Sequence, residues 1–152
     1  MRRSPASDSQ RELVYKWENG FQGASEAVLL PVYDLRYIIK RSCALYKVPA
    51  PSVRFMNVPG RVEWAARANG DAIQFNSTSK LSRNRQTAIH EVAHHIAFNY
   101  EHFYNHHGPV WMGVYLWLLD RWQVIPLSAS MPSAKAIGIK FRDPVSECAP
   151  GK

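Results

Sequence analysis

The chain has 152 residues, 46% of them hydrophobic and 12% aromatic, which is one domain's length with enough apolar material for a core and excludes a disordered polymer. Its 19 Lys and Arg against 12 Asp and Glu leave a formal charge of +7, which makes nucleic acid, acidic partners or anionic surfaces candidate contacts. The longest apolar run, Val110 to Leu119, is about half the roughly 20 residues that a membrane-spanning helix needs, so no membrane role is expected.

Residues 1–9 are polar and without periodicity and read as a disordered tail. No apolar signal segment follows Met1-Arg2-Arg3-Ser4-Pro5, which points to a cytoplasmic protein. Leu13, Val14, Trp17 and Phe21 then recur at helical spacing, with Asn19-Gly20 as a stop. After Pro31 a longer helix carries the stripe Leu35, Ile38, Ile39, Ser42, Leu45 and Tyr46. Arg36, Lys40 and Lys47 lie opposite, as on an ordinary solvated face, and Pro49-Ala50-Pro51 ends it. Cys43 falls within this helix and reads as core; Cys148 lies near the end of the chain. The two are far apart in sequence and no Cys-x-x-Cys pair exists, which argues against a disulfide scaffold or a cysteine-based zinc knuckle.

The period then changes to two. Val53, Phe55 and Asn57 alternate with their neighbours, and Val62, Trp64, Ala66 and Ala68 do the same up to Asn69-Gly70. That dipeptide suits a tight hairpin, with Ile73 and Phe75 on its far side. A three-stranded sheet is predicted, with Ala72 to Asn76 as an exposed edge open to an added strand. Ser77, Thr78, Ser79 and Ser82 offer helix caps. A helix over about Asn84 to Tyr100 follows, buried through Ile89, Val92, Ala93, Ile96 and Tyr100. A loop rich in His, Asn and Tyr leads to Pro109, which suits the first turn of a further helix to about Trp122. Ile137, Ile139 and Phe141 alternate like a short strand, and the stretch after Asp143 reads as loose.

His90-Glu91-Val92-Ala93-His94 lies on the predicted helix of residues 84–100. Histidines four residues apart project from one face about one turn apart, the separation that a single Zn²⁺ ion requires. Glu91, next to the first of them, is placed to act on a water at that metal without ligating it. This spacing is that of metal-assisted hydrolysis with a carboxylate base. A catalytic zinc needs a third protein ligand. Tyr100 stands where an extended motif would put a His. His102, His106, His107 and Asp120 are the candidates. His107 is favoured because Gly108 permits close approach and Pro109 pins the next helix start. His95 is rotated by about 100° and faces elsewhere. Tyr100, Tyr104 and Tyr115 are candidate oxyanion donors.

His90-Glu91-x-x-His94 followed by His107-Gly108-Pro109-x-Trp111 resembles the SprT-like, Spartan-type zinc metalloproteases, with Trp111 in place of the usual Phe. The resemblance covers mainly residues 85–122. It implies His90, His94 and His107 as zinc ligands and Glu91 as catalytic acid/base. With the segment Gln10 to Glu18 included, nearly the whole chain is also similar to small metallohydrolases of actinobacteria and their phages. No separate DNA-binding module is visible. The expectation is an α+β, zincin-like domain over residues 10–142, with tails at 1–9 and 143–152. Its function would be that of a zinc-dependent metallopeptidase acting on a protein or peptide in the cytoplasm. The alternatives are a zinc hydrolase of another bond, a zinc-stabilised structural protein associated with a virion, and a nucleic-acid-binding module.

Overall fold

The computed structural model describes residues 8–20, 29–57, 65–69, 71–77, 79, 83–100 and 105–152. Among these it is an α+β protein of five helices and one small sheet: α1 (Arg11–Asn19), α2 (Val32–Tyr46), β1 (Ser52–Met56), β2 (Ala66–Asn69), β3 (Ala72–Asn76), α3 (Arg85–Tyr100), α4 (Pro109–Arg121) and α5 (Leu127–Ala136). No helix among the described residues is long and apolar enough to cross a membrane. Phe21, Val62, Trp64 and residues 1–7, to which sequence reading gave roles, lie outside the described residues.

The sheet order is β1-β3-β2, with β1 parallel and β2 antiparallel to β3. This corrects the expected edge: Ala72 to Asn76 is the central strand, and β1 and β2 are the edges. Alternation reports which side chains face the core but not which strands are neighbours. Register puts Val53 and Phe55 beside Ile73 and Phe75, and Ala66 and Ala68 on the other flank of the same pair. These six share the face that packs on the helices, and Phe55 stacks on Phe75 with centroids 5.1 Å apart. On the opposite face Arg67 Nε donates to Gln74 Oε1 at 2.7 Å. Asn69 pairs with Ala72, so the hairpin closes one position later than the Asn69-Gly70 dipeptide suggests.

Helix α2 buries Leu35, Ile38, Ile39, Ser42, Cys43 and Tyr46. It ends at Lys47, whose φ of 55° turns the chain left-handed ahead of the prolines. Burial pushes the Cys43 thiol up to about 12, so it behaves as a small core hydrophobe. Helix α3 is capped by Asn84, whose Oδ1 accepts from the Thr87 N–H at 2.7 Å; of the caps expected, Thr78 and Ser82 lie outside the described residues. Its buried stripe is as expected except for Tyr100, which is exposed. Leu13 of α1 is likewise exposed and takes no part in the core.

Two expectations for the last third of the chain are overturned. Residues 137–141 are not a strand. Gly138, with φ +88°, and Ile139 donate their N–H groups to the Lys135 and Ala134 carbonyls, so the segment terminates α5 instead. Residues 143–152 are not loose either. Asp143 Oδ1 accepts from the N–H groups of Val145 and Ser146, and the Tyr46 hydroxyl donates to the Cys148 carbonyl at 2.6 Å. The buried Cys148 packs so closely on α4 that a Cβ at Gly113 would collide with its sulfur. Two arginines at the start of α3 also serve the fold. Arg83 donates through Nε and Nη2 to the Leu30 carbonyl, and Arg85 donates to that of Trp122.

Candidate metal centre

Helix α3 packs its sides against α2, α4 and β2, so polar residues as well as apolar ones along it are buried. His90 and His94, one turn apart, come out on the face shared with the start of α4. That start is set by Gly108, extended at ψ −178°, and by Pro109 in the first turn. A Cβ at residue 108 would lie 2.7 Å from the Asn105 side chain, so only glycine allows this approach. His107 is thereby carried back onto α3.

The three Nε2 atoms converge: His94 and His107 lie 3.1 and 3.4 Å from that of His90. Tetrahedral coordination at a Zn–N length of about 2.0–2.1 Å sets ligand nitrogens roughly 3.3–3.4 Å apart, so the donor set and its spacing fit such an ion. All three histidines are buried and together can hold a metal ion. His106, whose ring lies 6.0 Å from that of His94, and Asp120 do not join this cluster. The His106 backbone accepts a hydrogen bond from His94, and Asp120 Oδ1 accepts from the Leu127 N–H at the far end of α4. His95 points away as expected, toward the Pro49 carbonyl at 2.7 Å. His102 and Tyr104 lie outside the described residues.

The outer ring nitrogens are engaged too. His90 Nδ1 donates to Glu18 Oε1 at 2.6 Å, and His107 Nδ1 donates to Asp8 Oδ1 at 2.7 Å. Trp111 forms the floor of the site, its ring centroid 4.9, 4.9 and 4.8 Å from those of His90, His94 and His107. Burial holds His94 and His107 neutral, the latter at about 4, as a metal ligand requires; a positive charge on His90 pushes both further down. For His90 burial also disfavours protonation, but the charge and hydrogen bond of Glu18, with Glu91 beside it, outweigh that and raise it to about 9. Glu91 is itself raised by burial, against the opposing pull of His90 and an N–H donated by Ala68 of β2.

Asp8, Tyr15 and Glu18 escaped sequence reading. Glu18 had a signal. It follows Val14 by four residues and Trp17 by one, so it lies on the buried stripe of α1, where a carboxylate must have a partner. Asp8 had none, and fell in the stretch expected to be a disordered tail. Tyr15 lies at the site with ring centroids 6.3 Å from His90 and 5.4 Å from His107, and is 40% exposed. Of the candidate tyrosines among the described residues, Tyr100 donates to the Tyr46 carbonyl, and Tyr115 packs its ring on His90 with its hydroxyl engaged by Gln86 and Glu18. No protein-family profile, curated protein or solved structure matches the chain.

Proposed function

We propose that this protein is a zinc-dependent metallohydrolase of zincin-like type that cleaves peptide bonds in a cytoplasmic protein or peptide. The observation that carries this reading is the convergence of three imidazole Nε2 atoms beside a buried carboxylate, Glu91, which ligates nothing in the cluster. A purely structural site has no use for such a group. The resemblance of His90 to His94 and His107 to Trp111 to the SprT-like metalloproteases supports peptide as the substrate class.

A zinc ion held by His90, His94 and His107 would supply Lewis acidity, lowering the pKa of a water to about 7 and polarising the scissile carbonyl. Glu91 removes a proton from the attacking water and returns it to the leaving nitrogen. Burial pushes the Glu91 carboxyl up from the ordinary carboxylate range, the direction that makes it a better proton acceptor. The Ala68 N–H holds the carboxylate in place from the edge strand. Tyr15, half-open to solvent at the rim, takes over from Tyr100 and Tyr115 as the candidate donor to the developing oxyanion.

Glu91→Gln is the test. The variant should keep its zinc and fold and lose hydrolysis of an unfolded protein substrate by about 10²-fold or more. Unchanged hydrolysis in the variant sinks the mechanism. A zinc-loaded wild-type protein that cleaves no peptide bond points instead to a structural site or to another scissile bond.

A further inference from the structure

We infer that Glu18 and Asp8 are positioning residues of the metal centre, and that the segment carrying them, residues 8–19, acts as a clamp determining how tightly the metal is held. The inference rests on reading the three histidines as a metal site, and concerns what keeps that site in order.

A histidine that ligates through Nε2 must carry its proton on Nδ1, and its ring must not swing. Both conditions are met when an acceptor grips Nδ1, and a carboxylate does so most strongly. Two of the three rings have such an acceptor, and both acceptors come from the N-terminal segment, 72 and 99 residues away from their partners in the chain. The third ring, His94, is held by the His106 backbone instead.

The segment is fastened for this purpose. Gln10, itself buried, donates through Nε2 to the carbonyls of His107 and Lys140 at 2.9 Å and accepts the Lys140 N–H at 2.7 Å. It thus ties Asp8, the metal loop and the C-terminal part of the chain together. On α1, Arg11, Tyr15 and Glu18 follow at intervals of four and three residues, so they share one face. Tyr15 lies near both gripped imidazoles, with the Arg11 guanidinium 5.6 Å from its ring centre. Glu18 is in turn held by the Tyr115 hydroxyl, which accepts from Gln86 Nε2 at 2.9 Å. A chain of hydrogen bonds therefore runs from α3 through α4 and α1 and back to the ligand His90. Such a chain is worth more than a single contact because each member fixes the next.

The test measures zinc affinity of the full chain by competition with a chromogenic chelator, for Glu18→Gln, Asp8→Asn and, as a control on the exposed side of α1, Glu12→Gln. Each of the first two should bind zinc about 10–100-fold more weakly, and Glu12→Gln should match the wild type. The visible spectrum of the cobalt-substituted protein should shift in both positioning variants, because the ring orientations change. Melting of the metal-free proteins separates this from simple unfolding. Should Glu18→Gln fail to fold, Asp8→Asn decides alone, since Asp8 is 26% exposed and its loss leaves no closed cavity. Wild-type affinity and spectrum in the folded variants would overturn the inference while leaving the metal centre standing. A wild-type protein that takes up no zinc overturns both.

Discussion

Helix α3 is buried on nearly every side, from Gln86 through Ala97, whereas α1 buries only Val14, Trp17 and Glu18 and leaves Arg11, Glu12, Leu13, Tyr15 and Lys16 in solvent. Both helices meet the same imidazoles, one supplying ligand nitrogens and the other gripping a ring from behind. The contrast teaches that a side chain's distance from the reacting atoms and its contribution to the fold are separate quantities. On α3 the two coincide, because a helix that presents ligands must be held rigidly by its neighbours. On α1 they part: Glu18 serves the site, while Val14 and Trp17 supply the buried apolar contact that anchors the helix.

That comparison is sharpened first at the site. His107→Ala should lose zinc by more than the roughly 100-fold that an outer partner can cost, whereas His106→Ala keeps it. Atomic absorption on the two purified proteins reads the result, and the reverse pattern would move the ligand by one residue. Next comes packing on α3. Ile89 is fully buried, so Ile89→Ala should cost about 2–5 kcal/mol in urea unfolding. A smaller loss would mean that α3 is less tightly enclosed than α1.

On α1 the anchor is Trp17, whose Nε1 donates to Ser133 Oγ at 2.8 Å and whose ring meets Tyr115 edge-on. Trp17→Phe removes that hydrogen bond, for which about 0.5–1.5 kcal/mol is expected. A cost equal to that of Ile89→Ala would erase the distinction between the helices. Leu13 is on the open side of α1, so Leu13→Ala should change stability by less than about 0.5 kcal/mol in the same urea titration.

The parts of the molecule that sequence reading recovered are those governed by local rules. The 3.6-residue period marked α2 and α3 to within a residue or two, since the apolar positions of each recur at helical spacing. Pro109 announced the start of α4, and the interval between His90 and His94 placed two imidazoles on one face whatever surrounds them. The alternation in β1 and β3 placed Val53, Phe55, Ile73 and Phe75 on the core face, but in the central strand Gln74 and Asn76 of the other face are buried as well.

What only the tertiary structure decided is everything that depends on which distant segments are neighbours. Strand alternation is the same for a central strand and an edge, so β3's place between β1 and β2 had to come from pairing. Ile137, Ile139 and Phe141 alternate as a strand would, but the N–H groups of Gly138 and Ile139 are drawn to the last carbonyls of α5, and a helix end wins. The dominant case is the support of the metal centre. His90 and His94 are legible because the motif is short and helical geometry is local, and His107 because Gly108-Pro109 marks a tight approach at the next helix start. Asp8 and Glu18 are not, because a hydrogen bond to an imidazole specifies an acceptor and a distance but no interval along the chain.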